Sequence, residues 1–68
     1  MNEEALNRSV RRFLKNVGVT AQREIEIAVR KAVAEGRLKG DETLPAKAVV
    51  TIAAVGLDVQ IAGDIELA

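Results

Sequence analysis

The chain has 68 residues, ten Lys and Arg against ten Asp and Glu, one aromatic residue, and neither Cys nor His. A single small domain, 1–68, is expected, and at this length only about 60% of the unfolded surface is buried on folding. No disulfide and no Cys/His zinc site can reinforce so small a core, which leaves self-association as the available source of extra stability.

The same absences prune chemistry. Without His there is no side chain that ordinarily titrates near neutral pH, and without Cys no thiolate nucleophile. Ser9, Thr20, Thr43 and Thr51 stand beside no evident base. The chain is therefore not expected to be an enzyme, and no cofactor is implied. MNEEALNRS carries acidic residues where a signal peptide needs basic ones. No apolar run reaches the roughly 20 residues that span a bilayer. The expected location is cytoplasmic, with no membrane partner. Charge is unevenly placed: residues 1–40 hold nine Lys/Arg and five Asp/Glu, whereas residues 41–68 hold Lys47 against five acids.

In chain order, Asn2 is placed to cap a helix, with Glu3 and Glu4 against the positive end of its dipole. Leu6, Val10, Phe13, Leu14 and Val17 follow helical spacing, and Arg8, Arg11, Arg12 and Lys15 gather on the opposite side. Gly18 is a natural stop, so the first helix is expected over 3–17. Thr20 would cap a second helix over 21–35. Its stripe is Ala21, Ile25, Ala28, Val29, Ala32 and Val33, and Glu26 and Arg30 form a well-oriented i,i+4 pair. Ile27 lies on the far side from that stripe, beside Ala34, and is a candidate contact.

GRLKGDETLP, residues 36–45, reads as a connector. Beyond it two stretches, 46–54 and 57–67, alternate as strands. A tight turn at Val55-Gly56 would face Ile52 with Val59, Val50 with Ile61, Ala48 with Gly63 and Leu44 with Leu67. It would also place Lys47 opposite Asp64 on the other face. Val-Gly is weak turn chemistry, so a three- or four-residue loop is nearly as good, and a meander with a second turn at Ala62-Gly63-Asp64 is the rival. The fold class expected is α+β: two amphipathic helices packed on one face of an antiparallel hairpin. Asp58, Gln60, Asp64 and Glu66 are then the solvated row of an amphipathic strand. Val49 opposite Ala62, flanked by Thr51 and Ala53, forms a small apolar island on that outer face, a candidate for self-association.

MNEEALN, KNVGVTAQREIE, GRLKGDETLPAK and GDIEL together carry a resemblance that runs essentially end to end. The chain resembles a family of short bacterial proteins, mostly proteobacterial, with no established activity. The resemblance implies a complete small protein and assigns no residue a role.

The residues bear on three kinds of function. Helix, Gly-Val-Thr, helix and hairpin suggest a winged helix-turn-helix. However, Glu24 then occupies a buried position, and Leu14 stands where a small residue is usual. Basic residues at Arg8, Arg11, Arg12 and Lys15 form the candidate patch, but the chain's pI is near 6.2, so nucleic acid is not the expected partner. For a metal site, the acids Asp58, Asp64 and Glu66 are spread along a strand, and hard cations need converging oxygens. The favoured reading is a structural or interaction module acting as a homodimer, with hairpins pairing edge to edge across a two-fold axis and another protein as a further possible partner.

Overall fold

The computed structural model describes Met1–Ala68, ordered as α1 (Glu3–Ala34), β1 (Thr43–Ile52), a short 3-10 turn (Ala53–Val55) and β2 (Leu57–Glu66). The α+β class stands; the two helices do not. A single helix of 32 residues replaces them. It forms one compact unit with its end, Met1–Arg37, and the hairpin forms a second, Leu38–Ala68.

Gly18 does not stop α1 because nothing there demands a break. Its φ is not positive, and a glycine within a helix costs only about 1 kcal/mol relative to Ala. The helical pattern on either side is in phase, Val17 leading to Ala21 and Ile25 without a slip. The helix start is as expected: the Asn2 side chain accepts from the Ala5 amide at 3.0 Å. The helix end is also as expected. Gly36 takes left-handed geometry at φ 78°. Its amide donates to the Val33 carbonyl at 3.1 Å, and the Arg37 amide donates to Ala32 at 2.9 Å. That pair of bonds is the Schellman termination, which satisfies carbonyls the last turn leaves unpaired.

β1 and β2 form one two-stranded antiparallel ladder. β2 runs unbroken through Gly63, so the meander is excluded. The register differs from the tight-turn expectation by two residues. Ile52 faces Leu57, Val50 faces Val59, Ala48 faces Ile61 and Leu44 faces Ile65. Residues 53–56 form the longer, four-residue loop, in which the Gly56 amide donates to Ala53 at 3.1 Å and Gly56 sits at φ 64°. A shift of two preserves which side chains share a face, since strand side chains alternate with period two. Lys47 consequently faces Ala62, and Asp64 faces Pro45; the expected cross-strand charge pair is not formed. Pro45 is tolerated because each strand of a lone hairpin is an edge.

The connector is organised by one side chain. The Glu42 carboxylate accepts from the amides of Lys39 (2.8 Å), Gly40 (2.9 Å) and Asp41 (3.2 Å). The amide of Leu67 donates to the Glu42 carbonyl at 2.9 Å and closes the base of the hairpin.

Candidate functional site

The expected burial of the helical stripe is not observed. Ala32, 7% exposed, is the one buried apolar residue of the chain. Leu6, Val10, Phe13, Leu14, Val17 and Ile25 are all exposed, Phe13 at 50% and Leu14 at 51%. At 3.6 residues per turn, these six and the alanines at 21, 28 and 32 fall within an arc of about 120°. Because α1 is unbroken, the two short stripes read from the sequence are one continuous apolar seam. At 1.5 Å per residue it extends about 39 Å from Leu6 to Ala32.

On the hairpin, the apolar face is graded. Leu44, Ala46, Val50 and Ile65 are half-buried, whereas Ile52, Leu57, Val59 and Ile61 near the turn are exposed. The opposite face carries Thr51 with Asp58, Val49 with Gln60, Lys47 with Ala62, and Thr43 with Glu66. Asp58, Gln60, Asp64 and Glu66 are thus the wet row, as read from their alternation.

The sequence-derived contact residues fare unequally. Ile27 is 52% exposed and Ala34 is exposed at the last position of α1. Val49 is exposed at 53%, but its cross-strand neighbour is Gln60, not Ala62, and Ala53 lies in the turn instead of on the strand face. The island of Val49, Thr51, Ala53 and Ala62 is therefore not assembled in the form expected. The two-residue change of register is the reason.

Arg8, Arg11, Arg12 and Lys15 are exposed on α1, and none joins an ion pair; the pairs present are Arg30 with Glu26 at 3.1 Å and Arg37 with Glu35 at 2.5 Å. The continuous helix removes the turn that a helix-turn-helix requires. The Glu26 carboxyl is held below its ordinary range by the hydrogen bond from Gln22, then by the bond from Arg30 and its charge. Glu42 is likewise lowered, by the amides of Lys39 and Gly40 foremost. Each carboxylate is engaged within its own segment. No group of three or more acidic side chains converges as a metal site would require. Two shallow grooves run along α1, one at Leu6 and Val10, the other at Val19 and Ile27. Both are open and bounded by one helix, so neither encloses a small molecule. No helix is long and apolar enough to cross a membrane.

Against known proteins, one match decides the affiliation: the profile of DUF6494, described as a family of unknown function, covers residues 1–68. The chain belongs to the DUF6494 family. No curated protein and no solved structure matches it. Membership in DUF6494 agrees with the resemblance read from the four sequence segments, and it brings no functional residue with it.

Glu42 is the residue that sequence reading passed over. Its position between a Lys-Gly-Asp loop and a strand was visible, but the return of its side chain onto three preceding amides depends on the loop's path. The positive φ of Gly40, at 105°, belongs to that path.

Proposed function

We propose that this member of DUF6494 is a non-enzymatic module that works as a homodimer, with the α1 seam as the surface that joins two copies. The observation that carries the reading is the exposed run of large apolar side chains from Leu6 to Val17, continued past the small, half-buried Ala21 to Ile25. Continuous apolar surface on a soluble chain marks an interaction site. Full burial of a large apolar side chain contributes about 1.5–3 kcal/mol, so completing the burial of these six contributes about 1 kcal/mol each, or about 12 kcal/mol for two copies. Association costs about 4–15 kcal/mol in lost translational and rotational freedom. The two terms are comparable, so the pair holds only when most of the seam is covered.

The open hairpin edges are a lesser candidate for the same association, since Pro45 and Lys47 both discourage pairing along β1. The exposed basic group of Arg8, Arg11, Arg12 and Lys15 favours a second reading, weak binding of nucleic acid phosphates. Four cations on a chain of zero net charge would give affinity that vanishes as salt is raised.

Sedimentation velocity over a wide dilution series tests the first reading. A dimer that dissociates into monomer on dilution is expected; a folded monomer at every concentration would refute it. Titration with mixed DNA and RNA at low salt tests the second, and absence of binding there rejects it.

A further inference from the structure

The seam has a direction-dependent shape. Leu14 aside, whose counterpart about residue 19 is Glu24, the seam residues Leu6, Val10, Phe13, Val17, Ala21, Ile25, Ala28 and Ala32 are separated by steps of four, three, four, four, four, three and four. This order reads the same from either end, so a helix running the opposite way presents a seam with matching spacing. Side-chain size does not read the same from either end. The amino-terminal half carries Leu, Val, Phe and Val; the carboxy-terminal half carries three alanines and one isoleucine.

From this we infer that the occupant of the α1 seam is a second copy of the chain lying antiparallel, with the two-fold axis at the level of residue 19. The inference rests on the self-association proposed above and adds its direction and register. Leu6 then lies at the level of Ala32 of the other copy, which is already buried in its own chain, while Val10 meets Ala28, Phe13 meets Ile25 and Val17 meets Ala21. Two of these three meeting pairs set a bulky side chain against an alanine, the large-to-small arrangement that lets facing layers interdigitate at an even separation. A parallel pair would set Phe13 on Phe13 and Ala28 on Ala28, forcing the helices apart at one end and leaving gaps at the other.

Charge does not choose the direction: Arg8, Arg11, Arg12 and Lys15 lie on the opposite side of α1 from the seam, so in either arrangement they point away from the facing helix and stand farther apart than the Debye length of about 8 Å.

The absence of native cysteine makes disulfide trapping a clean test. Val10→Cys and Ala28→Cys variants of the full chain are unfolded, mixed, refolded together and mildly oxidised, with sedimentation run on the reduced proteins in parallel. The mixed Val10→Cys/Ala28→Cys disulfide is expected to exceed either self-linked product severalfold. In the antiparallel pair identical positions lie 18 residues apart along the axis, about 27 Å, and a disulfide spans at most about 7 Å between Cα atoms. Dominant self-linkage of Val10→Cys would overturn the antiparallel direction while leaving self-association through the seam intact. Dimers that give no disulfide would overturn the seam as the contact and turn attention to the hairpin. Reduced proteins that sediment as folded monomers would overturn both the direction and the association.

Discussion

The two halves of the chain are held by different kinds of interaction. In α1 every stabilising feature is local: the Asn2 cap, the Glu26–Arg30 pair and the Gly36 termination each join residues within a few positions of one another. The hairpin depends on pairs that are up to 23 residues apart, Thr43 with Glu66 at the base, and on the Glu42 carboxylate that ties its entry loop. A two-stranded hairpin alone is marginal in water, and a lone helix takes most of its stability from packing of its apolar face. Yet the halves end in the same condition, each with an apolar face that its own unit leaves open. Local order is not the limiting quantity in this molecule; coverage is.

The difference can be probed by substitution. The largest effect is expected from Val17→Glu, which places a charge in the middle of the helical seam where a facing helix would desolvate it. Dimers should be lost at all concentrations in sedimentation, and thermal melting followed by circular dichroism should become independent of protein concentration. Retention of a wild-type dimer would locate the contact outside α1.

Gly56→Ala should destabilise the hairpin by about 1–2 kcal/mol, since Gly56 is left-handed at φ 64° and an L side chain is strained there. Urea unfolding provides the measurement. Gly18→Ala should act in the opposite sense and stabilise by about 1 kcal/mol, because the site is helical and a Cβ would meet nothing within 4 Å. The two glycines thus make a matched pair of tests, one required by its geometry and the other merely tolerated. Destabilisation by Gly18→Ala would mean that the helix breaks there after all.

The smallest effect is in acid. Glu26 and Glu42 have carboxyls held below their ordinary 4.5 in the folded chain. A group whose folded value is depressed contributes stability above its unfolded value and loses it as pH falls through the folded one. Helix and hairpin should therefore both weaken modestly below pH 4.5. A Glu42→Gln variant should lose the hairpin part of that pH dependence and keep the helix part, as read from separate amide signals by NMR.

Much of the fold was legible in the residues, and the failures have specific causes. Apolar spacing carries the correct helical phase on both sides of Gly18, but a glycine ends a helix only where the residues after it force a turn, and Val19 and Thr20 do not. The helix end was better marked, because Gly36 is followed by a polar connector with no apolar stripe to continue. Alternation over 57–67 correctly assigned the faces of β2. It could not fix the register, which depends on how many residues the turn consumes, and Ala53 and Ala54 are as compatible with a strand as with a turn. Ile27 and Ala34 stand off the main stripe and are visible as such in the sequence. The longer seam was hidden by division of one helix into two, since neither short stripe looked unpartnered while a hairpin was expected to cover it.

Phe13 is the sole aromatic residue, so every ring-proton signal of the chain comes from one point on the seam. An isotope-filtered NOE experiment on a mixture of labelled and unlabelled protein would detect only contacts between copies. Cross-peaks from the Phe13 ring of one copy to the Ile25 methyl groups of another are expected; within one helix these residues are about 18 Å apart, too far for such a signal. A Phe13 ring that shows no contact with any second copy, at concentrations where the chain is fully folded, would contradict the proposal that the helical seam is covered by another molecule of the same chain.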